Sequence, residues 1–164
     1  MTRLPFLFAT LLAAGALLAG APAPAMAQQS AATAVAIVVH PSVKTDNLSF
    51  DELRRIFRGE QQFWPDKSRI TLLVRAPVAQ ERKLVLEKIY RMSEDAFRQY
   101  WIAKMFRAEV ASGPKLVYSS EMARELVGAI PGAIGFMPAT NVMPGVKVLK
   151  IDGRAPGDPG YPLR

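Results

Sequence analysis

The chain has 164 residues, no cysteine, one histidine, and 21 Lys and Arg against 14 Asp and Glu, a formal net charge of +7. Without Cys there is no disulfide framework and no lipidated cysteine, and His40 alone cannot build a tetrahedral zinc site. The basic excess favours anionic partners but does not choose among small anions, nucleic acid and a membrane surface.

Arg3, an apolar run over residues 4–19 and the small-residue exit Ala25-Met26-Ala27 together have the form of a cleavable export signal. Cleavage is predicted after Ala27, delivering the protein to the periplasm, where nucleic acid is the least favoured anion. The run holds Pro5 and Gly15 and falls short of the ~20 residues a membrane span needs, which argues against a retained anchor. Residues 28–164 are predicted to form a single domain. Loss of Arg3 leaves 20 basic against 14 acidic residues, or +6.

After a polar lead at 28–33, the apolar, β-branched residues 34–39 read as a buried strand ended by His40-Pro41. Ser49 begins a helix, with Glu52 three residues on as its capping-box partner and Phe50, Leu53, Ile56 and Phe57 on one face; Gly59 closes it. Trp64-Pro65-Asp66-Lys67 is turn chemistry, with Trp64 read either as a cap on the core or as an exposed contact residue. Residues 70–74 return to the buried-strand pattern, which predicts a strand-helix-strand crossover unit.

Two helices are predicted at 79–91 and 93–107, the second capped by Ser93, forming a hairpin with almost no linker. Phe57, Phe97, Trp101, Met105 and Met122 have the spacing of core residues. Past Ser112-Gly113-Pro114 comes a short strand at 115–118. A helix from Ser120 is then predicted to bury Met122, Leu126, Val127 and Ile130 and to stop at Pro131-Gly132. Strands at 133–137 and 146–149 complete the core over residues 34–151, and the Gly- and Pro-rich residues 152–164 read as a loose tail. Strands alternating with helices predict an α/β fold: a mostly parallel sheet of about five strands flanked by helices.

Three pieces in this order resemble the periplasmic phosphate-binding proteins of ABC transporters. They are Leu53-Arg54-Arg55-Ile56-Phe57-Arg58-Gly59 followed by Trp64 and Asp66, the strand running into Arg75, and Val127 followed by Ile130-Pro131-Gly132-Ala133-Ile134-Gly135-Phe136. The resemblance covers most of residues 35–150 and only the second lobe of that family. It implies a single lobe of a type II periplasmic-binding-protein fold, similar to short exported single-lobe relatives.

In full-length relatives the strand ending in arginine runs into Asp-Gly-Ser-Gly-Thr, whose hydroxyls and amides hold phosphate at a helix start. Arg75-Ala76 fit that pattern here, but Ala79, Gln80 and Glu81 stand at the serine, glycine and threonine positions. Hydrogen bonds to a charged group contribute ~1.5–3 kcal/mol each, so losing two hydroxyls takes a micromolar site to about millimolar. Arg75, Gln80 and Arg82 remain as candidate anion-binding residues, for phosphate or another small anion held weakly. Against that stands a plainer role for each: Arg75 pairing with a carboxylate, and Glu81 as a first-turn acid favoured by its own helix dipole.

The Arg54, Arg55 and Arg58 cluster reads as a solvated helix face. His40 lies beside Pro41 with no nucleophile-elbow sequence near any serine, so the chain is predicted not to be an enzyme, and no cofactor is implied. Two functions fit these residues. One is a solute-binding-like module with a weak anion site, as an accessory to a transporter or sensor. The other is a periplasmic interaction module, with a membrane or periplasmic protein partner, that has lost its ligand. Pairing of two copies into a homodimer is left open.

Overall fold

A computed structural model describes residues 34–164, so the predicted export signal and the lead at 28–33 lie outside the described residues. β1 (Val35–Val39) is buried on both faces. Its side chains alternate, Val35, Ile37 and Val39 entering one half of the core and Ala36 and Val38 the other. The remaining sheet strands are β3 (Thr71–Arg75), β4 (Lys115–Val117), β5 (Ala133–Pro138) and β6 (Lys147–Val148), in the order β4-β3-β5-β1-β6.

β3 runs parallel to both β4 and β5, and β1 runs antiparallel to both β5 and β6. The sheet is therefore mostly parallel, with β1 alone reversed. The expected crossover unit between the first two predicted strands does not form. β5 sits between β1 and β3, and its register with β1, from Val35↔Pro138 to Val39↔Ile134, fixes the reversal. Outside this sheet, β2 (Asn47–Leu48) and β7 (Lys150–Ile151) form a two-stranded parallel ladder that the sequence pattern did not signal.

The helix predicted after Ser49 is α1 (Phe50–Phe57). Glu52 N donates to Ser49 Oγ at 3.2 Å while Ser49 N donates to Glu52 Oε2 at 2.9 Å, completing the capping box. Gly59 ends the turn at φ +66°, and a Cβ there would lie 2.9 Å from the Trp101 ring. α2 (Gln80–Val85) continues as a π-helical turn at Leu86–Tyr90 that stops at left-handed Arg91. α3 (Glu94–Phe106) follows, with Ser93 as its cap. α4 (Ser120–Ala129) is capped by Ser119, one residue before the predicted start.

Helices cover both faces. Leu53, Ile56 and Phe57 of α1, Val85, Ile89 and Tyr90 of the α2 segment, and Phe97 and Trp101 of α3 pack with Ile37 and Phe136. Ala123 and Val127 of α4 pack on the other face, against Ala36, Val38 and Ala133. Met122, Leu126 and Ile130 are half-buried around that contact. Met105 departs from its predicted core role: it is exposed, because α3 buries the stripe through Phe97 and Trp101 and turns Met105 to the outside.

Residues 152–164 are not a loose tail. Tyr161 and Leu163 are buried; the Tyr161 hydroxyl donates to Val35 O at 2.9 Å and Val35 N donates to Leu163 O at 2.8 Å. Gly and Pro keep this segment irregular, yet two apolar anchors spaced by one residue dock it beside β1. Among the described residues no helix is long and apolar enough to cross a membrane.

Candidate anion site

β3 delivers Arg75 to its C-terminal end, opposite Val117 of β4. Ala76 N donates to Val117 O at 2.8 Å, and Ala79 N donates to Ala76 O at 3.0 Å, so the chain turns tightly into α2. Ala79 is the N-cap and supplies no side-chain acceptor, as its methyl group dictates. The start of α2 therefore presents N–H groups that no side chain caps, beside a guanidinium.

Arg75 is 8% exposed. Its Nε donates to Glu81 Oε1 at 2.6 Å, and the Glu81 side chain is buried to the same degree. The two residues for which the sequence offered separate plain roles thus meet each other. Arg75 Nη1 is buried without a hydrogen-bond partner. A carboxylate accordingly occupies part of the site, while one buried guanidinium nitrogen remains unpaired.

Arg82 is placed elsewhere. It is 3% exposed, forks onto Glu94 through Nε at 2.9 Å and Nη2 at 2.5 Å, donates from Nη1 to Arg75 O, and stacks over Phe97 at 4.8 Å from the ring centroid. With every guanidinium nitrogen engaged, it is a strut joining α2 to β3 and α3, and not an available ligand donor. Gln80 is exposed at the first turn of α2. Sequence reasoning missed Glu94: twelve residues separate it from Arg82, and nothing local marks the pair.

Trp64 caps the core. It is buried, and its Nε1 donates to Gly132 O at 2.9 Å. The α1 arginines are largely engaged within the chain: Arg54 pairs with Asp51 at 3.3 Å, and Arg58 pairs with Glu60 at 3.4 Å and lies over the Tyr100 ring. His40 Nδ1 meets Ser42 Oγ at 2.6 Å and accepts from Ser42 N at 3.0 Å, an arrangement that holds the turn after β1.

No family model matches the chain, and no curated protein matches it. Solved structures do. An ABC-type phosphate transport receptor from Vibrio cholerae superposes with a TM-score of 0.61 at 21% identity, over 75% of this chain and 48% of the receptor. A putative phosphate ABC transporter substrate-binding protein with bound phosphate from Clostridium perfringens also gives 0.61, at 17% identity, over 75% of this chain and 46% of its own. PstS from Borrelia burgdorferi gives 0.58 at 16% identity, over 75% and 49%. The chain thus spans about half the length of these proteins, and its fold is that of a phosphate-binding-protein-like lobe.

Proposed function

We propose that this chain is an exported, non-catalytic, phosphate-binding-protein-like module that holds a small anion weakly at the end of β3, as an accessory to a transporter or sensor. The observation that carries the reading is the buried, unpartnered Nη1 of Arg75 beside the uncapped start of α2. A buried donor left unpaired costs ~1–3 kcal/mol, more when charged, and an anion oxygen relieves that cost. Glu81 opposes it, repelling the anion and holding Arg75 Nε. The structural relatives named for phosphate support phosphate as the first anion to test.

Calorimetric titration of the signal-free protein with phosphate, sulfate and acetate tests this. The expected dissociation constant is about millimolar. Glu81→Gln is expected to tighten binding about tenfold by removing the repelling charge, and Arg75→Met to abolish it. Silence from every anion at ten times that concentration, in the wild type and in Glu81→Gln alike, overturns the reading. It would leave the lobe as an interaction scaffold whose former ligand edge is closed by the Arg75–Glu81 pair.

A further inference from the structure

The large apolar side chains left in solvent are unevenly placed. Ile102 and Met105 of α3 and Leu116 of β4 line one groove; Phe106 follows Ile102 at helical spacing and Tyr118 follows Leu116 by two residues, with Phe106 91%, Tyr118 68% and Ile102 61% exposed. Between α3 and β4, Ile102, Met105 and Leu116 frame an apolar groove of about 270 Å³, floored by Val74, Phe97 and Trp101. β4 is the outermost strand at this end of the sheet and pairs only with β3, so its outer backbone edge is unpaired among the described residues. An exposed strand edge beside an apolar face is what a protein ordinarily covers.

We infer that this flank is a homodimer interface, in which β4 pairs antiparallel with β4 of a second copy about a two-fold axis through Leu116. Area supports the assignment. Aromatic side chains bury ~150–250 Å² each and the aliphatic ones somewhat less, so the exposed fractions of these five come to on the order of 500 Å² per copy. Pairing two flanks then removes about 1,000 Å² of apolar surface, the size at which a specific interface holds, before backbone is counted.

Charge supports a second copy over a differently charged partner. The two charged residues that line the groove are each paired within the chain, Arg82 with Glu94 at 2.5 Å and Arg98 with Asp95. Two such surfaces do not repel despite the basic excess of the whole chain. In a register centred on Leu116, Lys115 faces Val117 of the second copy and not its own symmetry mate, so no like charges stand directly opposite. Side-chain direction agrees. Leu116 pairs with Val74 across the ladder and shares the groove with Ile102 and Met105, so both copies of Leu116 and both α3 faces meet on one side of the continued sheet.

Sedimentation velocity and a site-directed crosslink test the pairing. The wild type is expected to dimerise with a dissociation constant in the range of about 1–100 µM. Phe106→Glu is expected to weaken dimerisation at least tenfold with unchanged circular dichroism, since Phe106 is almost wholly exposed in the single copy. Met143→Glu, an equally apolar exposed position near the opposite edge strand β6, is expected to leave it intact.

Because the chain has no cysteine, Leu116→Cys introduces a single thiol. Residues directly opposite in an antiparallel pair lie ~4.5–5.5 Å apart at Cα, within disulfide reach. Mild oxidation should link Leu116→Cys to itself across the axis and leave Met143→Cys unlinked. A wild type that stays monomeric through that range, a dimer indifferent to Phe106→Glu, or equal crosslinking at both positions overturns the inference. It does not rest on the anion reading: anion titration of the monomeric Phe106→Glu protein separates the two.

Discussion

Arg75 and Arg82 carry the same guanidinium into one corner of the molecule, seven residues apart, and their neighbours give them different work. Arg82 finds a carboxylate fork, a carbonyl and an aromatic face, so its charge is fully compensated. Arg75 finds one carboxylate and keeps a buried nitrogen unpaired. The family resemblance brought Arg75 into the candidate set as the arginine ending a strand, and Arg82 joined it as a further donor in the helix that follows. The sequence had no means of sorting them, since the sorting depends on Glu94 in another helix. A sharper local constraint acts at Gly132. Its φ is +76°, and a Cβ there would lie 2.3 Å from Arg69 O, next to the carbonyl that accepts from Trp64 Nε1. Gly132→Ala therefore meets left-handed backbone, costing ~1–2 kcal/mol, and a backbone clash as well. A loss of about 3 kcal/mol or more is expected in urea unfolding, whereas Gly145→Ala, with open space around it, should show the conformational cost alone.

At the level of elements, the local signals read well because their chemistry is local. Ser49 and Glu52 satisfy each other within three residues, and Ser93 and Ser119 cap by the same short reach. Ser49→Ala is expected to cost about 1 kcal/mol. The Glu52 carboxylate is held below its ordinary value near 4.5, first by the Ser49 backbone N–H and then by its hydroxyl. The unfolded chain thus takes up this proton at higher pH than the folded one does. The stabilisation is complete above the ordinary value and is lost as pH falls through the lowered one. Acid unfolding of Glu52→Gln should accordingly lose that part of its pH dependence, read as a smaller drop in melting temperature between pH 5 and pH 3 relative to the wild type. Periodicity was less complete for α3. Phe97 and Trp101 follow the core stripe, but a helix packed on a sheet edge buries only part of its apolar surface, and Met105 and Phe106 stay outside.

For the molecule as a whole, the closing segment decides how β1 is held. Val35 N and O are both bonded by the last four residues, through Leu163 O and the Tyr161 hydroxyl. Removing residues 161–164 is expected to destabilise the fold by about 3–5 kcal/mol, the scale of deleting large buried side chains. Thermal unfolding checks it; an unchanged midpoint would mean that the segment adds nothing. Burial of Tyr90 and Tyr161 raises both phenols above their ordinary value. The folded state therefore keeps protons that the unfolded chain releases near pH ~10, so stability is retained below that pH and declines above it. Tyr161→Phe should be less stable at neutral pH, having lost its bond to Val35 O, and should decline less steeply above pH ~10, as chemical denaturation across the alkaline range would reveal.

The sequence by itself determined the helices, the caps at Ser49 and Ser93, the five sheet strands, the α/β class and the arginine at the end of β3. Each of these is written within a few residues: a short apolar run, a helical stripe, a Ser with its Glu. Tertiary structure alone decided that β1 runs against the other strands, that Glu81 closes on Arg75 while Glu94 takes Arg82, and that the Gly- and Pro-rich end is anchored. The physical reason is contact distance along the chain. Tyr161 reaches Val35 across 126 residues, and no local periodicity encodes which distant backbone group a buried hydroxyl will find.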